Sequence, residues 1–211
     1  MVWHGWPMDS RYQTVAGTRE LAHIYNQVCH VSKSHGLGFG LHNHWWEFER
    51  QPDGHSPYEV LLESLDPEVF FEVDTYWAKV AGQDPARIIG QMAGRVPLMH
   101  VKDGPGDKTS PMLALGTGVQ DFKSMISASR NQVEWLIVEF DTCATDIFVA
   151  LEESYRYLTR NGLGRGRVQN SPRFDLMKTS SEGWARRRLS TLQAAGHQLL
   201  LWRLALSGAR R

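Results

Sequence analysis

The run Gly36-Leu-Gly-Phe-Gly-Leu-His-Asn-His-Trp-Trp-Glu-Phe-Glu49 changes character halfway. It opens glycine-rich and apolar, then turns polar at His42, Asn43, His44 and Glu47. An apolar run ending in metal-type side chains reads as a buried parallel strand whose C-terminal end opens on a site. Three later segments repeat the design. Val69–Asp74 ends in a carboxylate, Val96–Asp103 in His100, Lys102 and Asp103, and Val133–Asp141 in Glu139 and Asp141. Core packing alone does not explain four strands that each finish in such groups.

The segments between these strands read as helices. Leu21, Ile24, Tyr25, Val28 and Val31 recur at three- and four-residue steps, predicting a helix from about Thr18 to His35 with one apolar face. Ser56-Pro57 and Asp84-Pro85 are cap-plus-proline helix starts, and Asp121 and Asp146 begin two more helices. Met1 to Tyr12 and Gly104 to Gly118 read as loops. Strand and helix in alternation mean parallel strands joined by right-handed crossovers. Glu47, Asp74, His100 and Glu139 follow one another at 27, 26 and 39 residues, close to the ~30 residues of one βαβ unit. In a (β/α) barrel the C-terminal strand ends converge on one face, so a single geometry gathers all four.

Charge divides the chain. Lys+Arg and Asp+Glu are both 23, but from Gly166 onward nine basic residues face only Asp175 and Glu182, a net of +7, which leaves −7 on the body. An acidic body argues against nucleic-acid binding. Two cysteines without a CxxC suggest neither a disulfide framework nor a zinc ribbon. The start has no signal-peptide pattern, and Leu199–Leu206 is too short to span a bilayer. A cytoplasmic setting with no membrane partner is the expectation.

Leu41–Phe48 (LHNHWWEF), Val73–Trp77 (VDTYW) with Ala81–Pro85 (AGQDP), His100–Asp103 (HVKD) and Val138–Asp141 (VEFD) resemble, in this order, the sugar phosphate isomerase/epimerase family. Those proteins are xylose-isomerase-like TIM barrels, a group that also holds inosose dehydratases and family-2 AP endonucleases. The resemblance runs roughly from Trp3 to Gly164 and implies an α/β fold: part of a (β/α)8 barrel, its motifs on the fifth to eighth strands. The family's first four strands find no counterpart, so an N-terminally incomplete barrel domain over residues 1–165 is expected. Residues 166–211 match nothing in the family and are expected to be an Arg-rich tail, disordered or loosely attached.

By the same mapping Glu47, Asp74, His100 and Glu139 match the family's metal ligands. Such a mixed oxygen and nitrogen set suits Mn²⁺, Mg²⁺ or Co²⁺, with Zn²⁺ admissible. The implied activity is proton transfer through an enediolate on a sugar or sugar phosphate, with Glu47 and Glu139 as proton-moving groups. Dehydration on the same site, or an inactive barrel fragment that associates with further copies, are the alternatives. Lys102 shares a strand face with His100 and is a candidate to neutralise a substrate oxyanion. His42 and His44 share a face and are candidates for substrate contact or metal support, against the plainer reading of a hydrogen-bonded pair. Trp77 offers a wall for a sugar ring, and Asp103 is a candidate substrate contact. Gly116-Thr-Gly118 offers backbone N–H groups to an anion. An AP endonuclease would need more histidines and a basic groove, and His42-Asn-His44 is not an HNH nuclease motif.

Overall fold

The computed structural model describes residues 1–92, 94–166 and 204–207. Five strands run parallel in chain order: β1 (Val2–His4), β2 (Gly40–His42), β3 (Phe70–Asp74), β4 (Leu98–Val101) and β5 (Trp135–Val138). Between them lie α1 (Val15–Ser34) before β2, α2 (Pro57–Ser64) before β3, α3 (Thr75–Val80) and α4 (Pro85–Gln91) before β4, and α5 (Phe122–Ala128) before β5. Helix α6 (Ile147–Arg160) follows β5, and β6 (Leu204–Ser207) pairs antiparallel with β5. The other expectations for residues 166–211 lie outside the described residues. Among the described residues, no helix is long and apolar enough to cross a membrane.

The helices start where local chemistry directs them. Ser56 and Glu59 form a reciprocal capping box with Pro57 in the first turn. Asp84, Asp121 and Asp146 each accept first-turn N–H groups. Along β3 to β5, Phe71, Val73, Met99, Val101, Leu136 and Val138 are buried in the main hydrophobic core. Burying each such side chain contributes roughly 1.5–3 kcal/mol. Residues of opposite parity, Glu72, Asp74 and His100, point to the other side of the sheet and are buried as well.

Four features differ from the sequence reading. Met1 to Tyr12 is not all loop: Val2–His4 is a strand and Ser10–Gln13 a 3₁₀ turn. Three residues cannot display an alternation, so β1 is fixed by pairing with β2 (Trp3 opposite Leu41) rather than by its own pattern. The first expected strand is shorter: its ladder begins only at Gly40, opposite Val2 and Phe70, and Gly36 takes φ +73 just beyond the end of α1. Helix α3 was not anticipated, since Asp74 ends one strand and caps the next helix without a linker. In α1 the buried face runs through Thr18, Leu21, Ala22, Tyr25, Cys29 and Ser32, whereas Val31 is 61% exposed.

Candidate metal centre

Register builds the site. In parallel strands, directly opposed residues face the same way. His42 of β2 lies opposite Glu72 of β3, and Asp74 of β3 opposite His100 of β4. Val101 lies opposite Val138, so the next pair along, Lys102 and Glu139, also comes together. Four strand ends thus deliver His42, Glu72, Asp74, His100, Lys102 and Glu139 to one cluster at the C-terminal ends of the sheet.

The distances are short. His100 Nδ1 is 2.6 Å from Glu139 Oε2 and 3.7 Å from Asp74 Oδ2, and its Nε2 is 3.3 Å from Glu72 Oε2. His42 Nε2 is 3.9 Å from Asp74 Oδ2. Lys102 Nζ lies 2.8–2.9 Å from Asp74, Glu139 and Asp141. Asp74 and His100 are 0% and 1% exposed. Backbone pins hold the frame. Asn43 and Asp74 exchange hydrogen bonds (Asn43 Nδ2 to Asp74 O, Asp74 N to Asn43 Oδ1), Thr75 Oγ1 donates to His100 O, and Trp77 N donates to Asp74 Oδ1.

Electrostatics separate the two histidines. Burial, reinforced by His100 alongside, pushes His42 down to about 3. Burial also works against charge on His100, but Asp74, Glu139 and Glu72 outweigh it and raise the ring to about 10. Burial opposes charge on Lys102 and on Asp74 too. Lys102 is nevertheless held above its ordinary value by Asp74, Glu139 and Asp141, and Asp74 below its own chiefly by Lys102. Glu139 is lowered to about 2 by His100 and Lys102 despite burial.

The donor set fits a divalent cation. His42, Asp74 and His100 offer one ligand atom each, all within 4.8 Å of one another. Asp74 Oδ2, Glu72 Oε2 and both ring nitrogens of His100 are buried without an aligned hydrogen bond. The 2.6 Å approach of His100 to Glu139 is therefore one of proximity, without the N–H direction a good bond needs. Unsatisfied buried atoms facing one another are costly unless a cation takes their lone pairs.

Of the residues predicted from sequence, His42, Asp74, His100, Lys102 and Glu139 meet in this cluster. Glu47 does not join it. On the turn after β2, its Oε2 accepts from His44 N at 2.8 Å, and Oε1 is buried 3.7 Å from His44 Nδ1 without an aligned hydrogen bond. A cavity of about 20 Å³, room for roughly one water, is lined by both Glu47 and His42. His42 stands at the strand end itself, where Glu47 had been expected to contribute. His44 packs edge-on to His42 at 4.9 Å. Trp77 is buried 4.7 Å from Trp45, with Lys102 Nζ 5.5 Å from its ring. Asp103 is 0% exposed, and both its oxygens are taken by backbone N–H groups of Gly104, Gly116, Gly118 and Gln120. The anion that Gly116-Thr-Gly118 cradles is therefore the chain's own. Glu72 was missed, although its position two residues before Asp74 on one strand places both on the same face.

No family model and no curated protein matches the sequence. Solved structures do. A sugar phosphate isomerase/epimerase from Parabacteroides distasonis is 26% identical with a TM-score of 0.65, over 75% of this chain and 56% of that one. Another from the same organism is 24% identical with a TM-score of 0.64, over 75% and 58%. A xylose isomerase domain protein from Planctomyces limnophilus is 18% identical with a TM-score of 0.53, over 77% and 56%. The chain thus spans less than two thirds of the length of each. Over about three quarters of its length it is similar in structure to sugar phosphate isomerases/epimerases and xylose isomerase domain proteins, and its five parallel strands are consistent with part of such a barrel.

Proposed function

We propose that this chain carries the metal-binding part of a sugar or sugar-phosphate isomerase or epimerase, with β2 to β5 corresponding to the fifth to eighth barrel strands. The observation that carries the reading is the convergence of His42, Asp74 and His100, with Glu139 against His100, at adjacent parallel strand ends. These four would hold the ion, and Mn²⁺, Mg²⁺ or Co²⁺ suits their oxygen and imidazole donors, with Zn²⁺ admissible. When bound, the ion would supply Lewis-acid polarisation of a ketose carbonyl and its neighbouring hydroxyl.

The chain's own residues do the rest. Glu47, buried with Oε2 fixed by His44 N and Oε1 without an aligned hydrogen bond 3.7 Å from His44 Nδ1, is the candidate to take the carbon-bound proton. Glu139, held ionised, is the second proton-moving candidate once His100 no longer competes for it. Trp77 and Trp45 form an apolar wall beside Lys102 that keeps water from the reacting carbons. Asp103 serves the fold of the loop rather than the substrate. Mn²⁺ titration of the chain, followed by exchange of a ketose C–H with solvent deuterium, tests the reading. Saturable binding lost in His100→Ala, with exchange lost in Glu47→Gln, is expected. No binding, or exchange unaffected by Glu47→Gln, refutes it.

A further inference from the structure

We propose that Lys102 is a tethered cation standing in a second cation position of the cluster, and that it thereby restricts the cluster to a single divalent ion. The inference rests on the metal reading above. Lys102 Nζ is 2.9 Å from Asp74 Oδ2, 2.9 Å from Glu139 Oε2 and 2.8 Å from Asp141 Oδ2. Three carboxylate oxygens around one point form a shell that a hard divalent ion accepts as readily as an ammonium does.

Two of these oxygens also face the histidines. Asp74 Oδ2 is 3.7 Å from His100 Nδ1 and 3.9 Å from His42 Nε2, while Glu139 Oε2 is 2.6 Å from His100 Nδ1. Both therefore sit between two neighbouring positions, one with nitrogen donors and one lined only by oxygen. Shared carboxylates of this kind are what paired metal ions require. Asp74 Oδ2 is buried without an aligned hydrogen bond from either side, so its lone pairs remain available.

Charge decides the occupancy. Glu72, Asp74, Glu139 and Asp141 bring four negative charges to the cluster. One divalent ion plus the ammonium leaves a single negative charge. A second divalent ion would have to enter the oxygen-lined position that the ammonium already fills, against the repulsion of that charge. Without the ammonium, two divalent ions balance the carboxylates. Lys102 is 1% exposed and packs against Trp77, so it does not swing out to solvent. It is a positioning residue: it holds Asp74 and Glu139 together and fixes how many ions they share.

EDTA-stripped parent, Lys102→Ala and Lys102→Met are titrated with Mn²⁺ at pH 8 by calorimetry and electron paramagnetic resonance. The parent is expected to bind one ion, with an isolated-ion spectrum. Lys102→Ala is expected to bind two, with a spectrum broadened by coupling between them. In Lys102→Met the thioether fills the space without charge, and one ion is expected to bind about tenfold tighter or more, since a neighbouring repulsive charge is gone. A folded Lys102→Ala that takes one ion overturns the inference, as does a Lys102→Met with parent affinity. Should Lys102→Ala fail to fold by circular dichroism, the affinity of Lys102→Met decides. No saturable binding by the parent refutes the metal reading, and this inference with it.

Discussion

Replacing Asp103 is expected to loosen the loop from Gly104 to Gln120 without removing any cluster residue. Its Oδ1 accepts from Gly104 N at 2.9 Å and Gln120 N at 3.2 Å, and its Oδ2 from Gly116 N at 2.9 Å and Gly118 N at 3.0 Å. Hydrogen bonds to a charged group contribute roughly 1.5–3 kcal/mol each, so four set a ceiling of about 6–12 kcal/mol. The ceiling is not reached, because Gly116 to Val119 is exposed and its N–H groups rehydrate once the loop opens. We expect Asp103→Ala to cost about 3–5 kcal/mol in urea unfolding followed by circular dichroism. That corresponds to a fall in Tm of about 10 °C for a chain of this size. Asp103→Asn keeps one acceptor oxygen and turns an NH₂ towards donors, so it should fall between parent and alanine. A loss under about 1 kcal/mol in Asp103→Ala would refute the idea that this carboxylate organises the loop.

Further outcomes follow from the same geometry. Gly118→Ala should destabilise, since a Cβ there would lie 2.2 Å from Asp103 Oδ1 and 2.4 Å from Gly104 N. Gly90→Ala, on an exposed helical position with nothing within 4 Å, should stabilise by about 0.5–1 kcal/mol in the same melts. In EDTA, stability should peak near pH 6.5. His42, held at about 3 when folded, contributes fully above 6.5 and loses that contribution as the pH falls towards 3. His100, held at about 10, contributes fully below 6.5 and loses it as the pH rises towards 10. A Tm that climbs steadily from pH 5 to 9 would contradict the His100 assignment, and one that falls steadily from pH 5 would contradict the His42 assignment. Mn²⁺ should release protons on binding near pH 8, chiefly from His100. Calorimetry in buffers of different ionisation enthalpy detects this, and equal heats in all buffers would count against it.

Much of the fold was legible because its signals are local. Proline after a capping side chain at Pro57 and Pro85, and apolar runs ending in polar groups at Asp74 and His100, place elements to within a few residues. What escaped depends on neighbours. Strand β1 exists through its ladder to β2, and the strand β6 through its ladder to β5. At the site, chemistry-bearing residues were visible but their convergence was not. Whether His42 or Glu47 joins Asp74 and His100 turns on register, His42 opposite Glu72, which no single strand reveals. Asp103 looked like a ligand-binding carboxylate because the sequence does not show that four loop N–H groups already occupy it.

Asp74 does two separable jobs. Its Oδ1 caps α3 through Trp77 N, and its Oδ2 faces the histidines and Lys102. Asparagine caps a helix about as well as aspartate but brings no charge. A single base change from an aspartate to an asparagine codon would therefore keep the cap while removing the charge that the proposed cation site needs. On the metal reading proposed above, residue 74 is where a gene survey would look for copies of this fold that keep the architecture without the ion.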